Sequence, residues 1–331
     1  MSSIVGCSMH YRSVLWREGL GMDMFADAAH VAYQVPSLEE SVDHFTGVLG
    51  LRVLDRRADE VFLGHGLAHA CVQLSEGAEL RLDHIAFALR DEAAMVSLRA
   101  ALDAAGVATV PDAVAEPGIT AGLRFRGPTG HVYEAVVLAP PASQGPAARV
   151  ARGPGPQGSG VRPNRLGHIT AQTTDVPAAT AFATDVLGFQ LSDMIGDEPW
   201  MSFARCNDDH HALAFMQGID GLHHFAFEVS SINDLANLGD CLCEAGRTIL
   251  WGPGRHGAGD NIALYHQEPS GAIVEYYTDM QRIVNDSWEA RRWDMGDYRS
   301  IAQWGGPMPD DGLIEPVVPC PPEVTATNGA S

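Results

Sequence analysis

Basic residues are scarce in this chain of 331 residues. Lysine and arginine together number 21 against 42 aspartates and glutamates, which gives a formal net charge of -21 at pH 7 and a pI near 4.9. Phosphate backbones and anionic lipid surfaces attract clustered cations, so this balance argues against nucleic acid and membrane partners. No apolar run reaches the roughly 18 to 20 residues that span a bilayer, and the first residues lack a basic region followed by an apolar core. A cytoplasmic protein is expected.

Cysteine pairs of the kind that bind zinc or form a disulfide framework are also missing. The six cysteines are scattered along the chain without a CxxC pair, so we expect them to be reduced. With 46% hydrophobic and 19% charged residues, the composition is typical of a globular protein, and the length suits two domains.

An internal repeat organises the chain. HVAYQVPSLEESVDHFTGVLGLRV, which starts at His30, recurs in outline from His168 as HITAQTTDVPAATAFATDVLGFQL. DHIAFALRDEAAMVSLRAALDAAG, from Asp83, recurs from His223 as HHFAFEVSSINDLANLGDCLCEAG, and GPTGHVYE, from Gly127, recurs from Glu268 as EPSGAIVE. The three pairs have nearly the same offset. Matches in register of this kind indicate that the second half of the chain repeats the first.

Each repeat unit begins with an alternating apolar run, which is typical of a half-buried strand, and continues into a helix-like stretch ending in VLGL or VLGF. Gly50 and Gly188 stand where a helix C-terminus favours a residue that tolerates positive φ. Short alternating segments follow, and the same plan runs twice in each half. The pattern predicts an α+β fold of four βαβββ modules, paired into domains at residues 24–140 and 164–304.

The segments outside these domains differ in composition. Residues 141–163 are dense in proline, glycine, alanine and serine, which is typical of a linker. Residues 305–331 form a Pro-rich tail, of which we expect the last dozen residues to be mobile. Trp288, Trp293 and Trp304 are expected to pack back on the second domain.

Strand positions that correspond in repeated modules can converge on one point. In the second half, the polar residues at such positions are His168, His224 and Glu275. Two imidazoles and one carboxylate are the ligand set of non-haem Fe(II) oxygenases, which leaves three coordination positions open. A lone histidine on an apolar strand is more often a structural residue, so the prediction rests on the three positions together.

The segments around these residues are LGHI, LHHFAFEV and GPGRHG followed by ALYHQEPSGAIVEYYTDM. They resemble the type I extradiol dioxygenases of the vicinal oxygen chelate superfamily, the glyoxalase/bleomycin resistance group that includes catechol 2,3-dioxygenases. The resemblance covers about residues 24 to 300. It implies that each pair of modules forms a curved mixed sheet enclosing a cavity. It also implies Fe(II), with Mn(II) as the alternative, and cleavage of a catechol-type ring by O2 to a semialdehyde or keto acid. Aligning LHHFAF with LDHIAF of the first half favours His224 over His223 as the ligand.

Three further residues match the family pattern. His211, in DDHHALAFM, fits that pattern better than His210, and the resemblance implies that it assists dioxygen and acts as acid and base. His256 and Tyr265, whose distances ahead of Glu275 match the family, would hydrogen-bond the substrate oxygens. Protons must leave the catechol and later return, which requires groups of this kind.

The first half keeps ligand-like residues at the equivalent positions, namely His30, His84 and Glu134. Arg124 stands where the second half has its tyrosine, and Ala115 stands where it has the loop histidine, although His69 matches His211. We therefore expect the first half to be non-catalytic and to support the fold. A structural or adventitious metal site there stays open as an alternative.

The residues around the site give weak indications of the substrate. Arg255 could bind a carboxylate, whereas the nearby aromatic side chains favour a neutral or aryl-substituted catechol; these are Trp200, Phe215, Phe227 and Trp251. Two other classes share the fold. Metal-dependent isomerases, epimerases and lyases activate a proton rather than dioxygen, and non-enzymatic drug-binding proteins lack the ligands. By analogy, enzymes of this kind form homo-oligomers.

Overall fold

The computed structural model describes residues 24–66, 69–111, 116–140, 160–284, 287–309, 313 and 317–321. Within these ranges the first half of the chain forms, in order, β1 (Phe25–Val35), α1 (Leu38–Gly47), β2 (Arg52–Arg56), β3 (Glu60–Gly64), β4 (Val72–Glu76), β5 (Arg81–Leu89), α2 (Glu92–Ala104), β6 (Thr109–Pro111), β7 (Ile119–Arg126) and β8 (Val132–Leu138).

The second half repeats this order and adds two short strands, giving β9 (Arg165–Thr173), α3 (Val176–Ala181), β10 (Gln190–Ile195), β11 (Met201–Arg205), β12 (Leu213–Gln217), β13 (Gly221–Glu228), α4 (Ile232–Glu244), β14 (Ile249–Arg255), β15 (Ile262–Gln267), β16 (Ile273–Thr278), β17 (Arg291–Trp293) and β18 (Val318–Pro319). A π-helical turn, Phe182–Val186, continues α3, and a 3-10 turn covers Tyr298–Ser300.

The strands form two mixed sheets. The first has the order β2-β3-β4-β1-β5-β8-β7-β6, and the second has the order β14-β15-β16-β13-β9-β12-β11-β10-β17 with β18 on β13. The central pairs, β1 with β5 and β9 with β13, are antiparallel, while β4 and β8 join the first of these pairs in parallel. The predicted α+β architecture of four βαβββ modules is confirmed. Gly50 and Gly188 follow their helices at φ of 69° and 75°, as the helix-end prediction requires.

The segments beyond the modules return to the second sheet. The indole of Trp288 donates to the carbonyl of Ser192 at 2.9 Å, and that of Trp293 donates to Asp193 Oδ2 at 2.7 Å. Trp304 is 44% exposed, but its carbonyl accepts from the Arg255 backbone N–H at 2.8 Å and its ring lies 5.9 Å from the Arg255 guanidinium. The predicted tail is not entirely free of structure, since β18 pairs with β13. Residues 141–159 of the expected linker and residues 322–331 lie outside the described residues.

Two other expectations concern the whole chain. The five cysteines in the described ranges form no disulfide bond. Within the same ranges, no helix combines the length and apolar character needed to cross a membrane.

The two halves pack against each other through α1 of the first half and the sheet of the second. Phe45 stacks on Phe225, with ring centroids 6.3 Å apart. The Nε2 atoms of His44 and His266 lie 3.0 Å apart, and the Ser41 hydroxyl donates to Glu268 Oε2 at 2.8 Å. One hydrophobic core therefore includes residues of both halves.

The buried carboxyl group of Glu268 makes this interface sensitive to pH. Burial raises the pKa of Glu268 to about 7 from its ordinary 4.5, although hydrogen bonds from Ser41 and from the backbone of Ser270 and Ala272 oppose the change. Because the folded pKa is the higher one, the folded protein retains a proton that the unfolded chain has released. Glu268 therefore lowers the free energy of unfolding as the pH rises from about 4.5 to about 7.

We expect Glu268→Gln to remove this dependence, because an amide does not ionise. Between pH 5 and pH 8 the wild type should lose about 2 kcal/mol of unfolding free energy relative to the variant, measured by urea unfolding at a series of pH values. Glu244→Gln, at an exposed position of α4, should follow the wild type. Parallel pH curves for wild type and Glu268→Gln would contradict the prediction.

Candidate active site

One row of side chains crosses five strands of the second sheet. His168 on β9 lies opposite Ala226 on β13, which in turn lies opposite Glu275 on β16. The row continues from Glu275 to Tyr265 on β15 and then to Trp251 on β14. Residues paired across strands share a face of the sheet. The small methyl group of Ala226 leaves space between the imidazole and the carboxylate.

His224 joins this face because it lies two residues before Ala226 on β13. The pairing of β13 with β9 shifts between Leu222 and His224, which leaves His223 as the extra residue of a bulge. The Nδ1 atoms of His223 and His224 lie 2.5 Å apart, and His223 Nε2 contacts the carbonyl of Leu313. Burial, and then His224, lower the pKa of His223 to about 3, so His223 is a neutral neighbour behind His224.

The structure brings together the three residues that the sequence predicts as ligands. His168 Nε2 and His224 Nε2 lie 3.0 and 3.1 Å from Glu275 Oε2, and all three side chains are buried. Burial would raise the pKa of Glu275, but His168 and His224 hold it well below its usual value. Burial lowers the pKa of His224. A charged carboxylate and neutral imidazole nitrogens are the forms that bind a divalent metal.

These residues fit a metal ion in a further respect. The ligand atoms of His168, His224 and Glu275 lie within 4.8 Å of one another. Asn261, in the loop between β14 and β15, donates from Nδ2 to Glu275 Oε1 at 3.0 Å. This bond fixes the carboxylate with its other oxygen toward the two imidazoles, the kind of support that metal ligands generally have.

His256 and Tyr265 form a hydrogen-bonded pair at the edge of the ligand cluster. His256 Nδ1 faces the carbonyl of Ile301, which can only accept, so Nδ1 carries the hydrogen and donates. Burial lowers the pKa of His256, and its Nε2 therefore accepts from the Tyr265 hydroxyl at 3.0 Å. Burial, together with Glu275, raises the pKa of Tyr265 well above its usual value. Trp251 stacks on His256 at 5.0 Å and fixes the plane of the imidazole.

His211 lies on the other side of the ligands, just before β12. Its ring centroid is 4.3 Å from that of His168. Burial, and then His168 and His210, lower the pKa of His211 well below its usual value, so its imidazole is neutral. His211 Nδ1 lies 3.0 Å from His210 Nδ1, and His210 Nε2 lies 3.3 Å from Asp193 Oδ2. His210 thus connects His211 to a buried carboxylate rather than to the cavity.

These groups line one cavity. Its apolar lining includes several residues that sequence reasoning missed, namely Met201, Phe203, Met216, Ala258, Ile301, Met308 and Leu313. Nothing in their local sequence distinguishes them. Ile301, Met308 and Leu313 come from the segment after the last module, which returns over the site.

Of the aromatic residues expected near the substrate, only Trp200 lines the cavity. The expectation that Phe215 and Phe227 lie near the substrate is wrong, because both side chains belong to the core and have no exposed surface. On β13 the parity of the strand turns Ala226 to the face that carries His168 and Glu275, and Phe227 to the opposite face. Trp251 supports His256 from behind. Arg255, which could have bound a substrate carboxylate, does not line the cavity. Its guanidinium pairs with Asp260 and Asp279 instead.

The first-half residues at equivalent positions also converge. His30, His84 and Glu134 lie within reach of a single ion, together with Glu116, which the sequence did not single out. Arg124 pairs with Glu134 across β7 and β8, the place that a tyrosine has in the second sheet. Ala115 lies outside the described residues.

Comparisons with known proteins agree with this fold and site. The profile of the Glyoxalase/Bleomycin resistance protein/Dioxygenase superfamily matches residues 165–276. A manganese-dependent 2,3-dihydroxybiphenyl 1,2-dioxygenase from Geobacillus genomosp. 3 is 29% identical over 313 residues, covering 89% of this chain and 98% of that protein. Metapyrocatechase 2 from Cupriavidus necator is 32% identical over 297 residues, covering 85% of this chain and 89% of that protein. The crystal structure of the Mn(II)-bound glyoxalase from Novosphingobium aromaticivorans, 29% identical, matches with a TM-score of 0.79 over 90% of this chain and 98% of that one.

Paired βαβββ modules with two imidazoles and a carboxylate at the centre of a sheet define a metal-dependent enzyme of the vicinal oxygen chelate type. The chain belongs to the Glyoxalase/Bleomycin resistance protein/Dioxygenase superfamily and, within it, to the extradiol dioxygenases.

Proposed function

We propose that this enzyme cleaves the ring of a catechol-type substrate with O2, beside the two hydroxyl-bearing carbons, and releases a semialdehyde or keto acid. The observation that carries the proposal is the row of His168, Glu275 and Tyr265 across the second sheet, with His224 on the same face. His168, His224 and Glu275 would hold the metal. Relatives are named both as iron-dependent and as manganese-dependent, and both ions accept this ligand set. Fe(II) is the first choice and Mn(II) the alternative.

When bound, the metal supplies open positions for the catechol oxygens and dioxygen and a route for electrons between them. The protein contributes position and protons. Tyr265 donates to His256, so the lone pairs of its hydroxyl oxygen can accept from a catechol hydroxyl. His256, held between Ile301 and Trp251, keeps Tyr265 in this orientation.

His211 would handle the proton on the dioxygen side. Its neutral ring lies against His168 and opens on the cavity. In the tautomer in which His211 Nδ1 donates to His210 Nδ1, the Nε2 atom of His211 is free to take up and return a proton. The apolar lining around these groups excludes water, which strengthens each hydrogen bond made there.

The lining also indicates the kind of catechol. The chain contains no lysine, and among the described residues no arginine lines the cavity. A carboxylated catechol would thus lack the cation that normally binds it. Trp200, Phe203 and Met216 provide apolar and aromatic contacts instead. We therefore propose a neutral, aryl-substituted catechol as the substrate.

The experiment is anaerobic purification with metal analysis, followed by oxygen uptake and visible absorbance with catechol, 2,3-dihydroxybiphenyl and 3,4-dihydroxybenzoate. We expect stoichiometric oxygen consumption with a yellow product. We also expect kcat/KM for the biphenyl diol to exceed that for the carboxylated compound by about 100-fold, since binding a carboxylate without a partner is costly. Equal values would refute the substrate class. Bound metal without oxygen uptake on any diol would favour the proton-transfer members of the fold, to which the glyoxalase relative points.

The remaining parts of the proposal concern organisation. Residues 164–304 would form the catalytic domain, residues 24–140 a domain that supports it, residues 141–163 the linker and residues 305–331 the tail. The packing of α1 on the second sheet supports this division of roles. By analogy with enzymes of this family, we propose a homo-oligomer in the cytoplasm.

A further inference from the structure

The first sheet reproduces the ligand geometry of the second sheet, strand for strand. His30 on β1 lies opposite Ala86 on β5, which lies opposite Glu134 on β8, and His84 precedes Ala86 by two residues. The same relation joins the histidines, Ala226 and Glu275 in the second sheet. The two imidazole planes cross at 82° in both sheets. The first half therefore retains the construction that orients metal ligands.

The ligand atoms of the first sheet also converge closely. His30 Nε2 and His84 Nε2 lie 3.2 and 2.9 Å from Glu134 Oε2 and 2.8 Å from each other. These three side chains are at most 1% exposed. A shared proton can link only two of these three atoms at a time. A cation at the centre of the triangle that they form attracts a lone pair from each of them.

A fourth ligand distinguishes this cluster from the proposed active site. Glu116 Oε2 lies 3.5 Å from His30 Nε2 on a side chain that is 7% exposed, and among the described residues this oxygen has no hydrogen-bond partner. Glu116 stands as far ahead of Glu134 in the sequence as Gly257 stands ahead of Glu275. A carboxylate thus enters the first-half cluster where the second half has a residue without a side chain.

Neighbouring charges orient these ligands as expected for a metal site. Asp83 Oδ1 lies 2.9 Å from His84 Nδ1, so that ring donates there and leaves its Nε2 lone pair for the cluster. Arg124 approaches Glu116 Oε1 at 3.2 Å and Glu134 Oε1 at 3.4 Å, while both Oε2 atoms face the imidazoles. One guanidinium thus faces three carboxylates in this group, a balance that attracts a further cation.

We propose that His30, His84, Glu116 and Glu134 bind a second divalent transition-metal ion, with Zn(II) as the best fit. A closed set of four protein ligands is typical of structural zinc, which accepts both imidazole nitrogens and carboxylate oxygens. Because four protein ligands leave no open position, this ion stabilises the first half and takes no part in ring cleavage. Its site is therefore independent of the function proposed for the second half.

The test counts metal ions in the full-length protein, expressed with iron, manganese and zinc salts and analysed by mass spectrometry after gel filtration. We expect two equivalents per chain in the wild type, one in His224→Ala, one in His84→Ala and none in the double variant. His44→Gln is the matched control, because His44 and His266 are a buried imidazole pair at 3.0 Å that is not part of either cluster. It should retain two equivalents.

A single equivalent in the wild type that disappears in His224→Ala would overturn the proposal and leave Arg124 as the sole cation of the cluster. If His84→Ala does not fold, the comparison of wild type with His224→Ala still decides whether the first half binds a metal ion. A second measurement uses His224→Ala reconstituted with Co(II). Retained cobalt with the intense visible absorption of a tetrahedral ion, weakened by adding Glu116→Gln, supports the site, and failure to retain cobalt contradicts it.

Discussion

Glu275→Gln is expected to remove one metal equivalent per chain and to lower kcat/KM for ring cleavage by on the order of 10³-fold or more. Loss of a residue that merely supports a metal ligand already costs about 10- to 100-fold in metal affinity or activity, so loss of a charged ligand costs more. The amide keeps the size of the side chain but lacks the charge that balances the ion. Metal analysis and oxygen uptake with 2,3-dihydroxybiphenyl measure the two effects.

Glu268→Gln is the matched control for this prediction. It makes the same change at another buried glutamate of the second half, a short way earlier in the chain, where the carboxyl group contacts Ser41 rather than the imidazoles. This variant should keep its metal and its activity at neutral pH. A Glu275→Gln enzyme that retained both would show that Glu275 is not a ligand.

His211→Gln is expected to lower kcat by about 10² to 10⁴-fold, the usual contribution of a positioned acid or base, while metal content stays at the wild-type level. Glutamine is polar and of similar length, but it cannot take up a proton. The separation of kcat from metal content distinguishes proton handling from ligation, since His211 contacts His168 only through ring packing. Stopped-flow absorbance under excess substrate and oxygen gives kcat directly.

Two further variants test the same assignment. His69→Gln changes the equivalent histidine of the first half and should leave kcat near the wild-type value. His210→Gln should lower kcat by about tenfold, because His210 orients the ring of His211 without reaching the cavity. An unchanged kcat in His211→Gln would remove that residue from the mechanism.

The sequence alone predicted the modules and the convergence of the three proposed ligands on one point of the second sheet. This was achievable because the repeat is collinear and the strand period is two, so corresponding positions in two modules face one point of the sheet. Predicting that His168, His224 and Glu275 converge required no knowledge of the loops, because all three residues lie on strands. The same register places His30, His84 and Glu134 together in the first sheet.

Only the tertiary structure shows which face of a buried strand a residue occupies and which distant segments of the chain meet at the site. Sequence could not tell that Phe227 faces the core while its neighbour Ala226 lies on the face that carries the proposed ligands, because apolar residues occupy both faces of a fully buried strand. Asn261 and Glu116 reach the two clusters from loops, where no period constrains direction. Leu313 closes the cavity from a segment beyond the repeat. Local patterns specify the strands, but only the packed chain determines which face of a fully buried strand lines the site and which loops and chain ends meet above it.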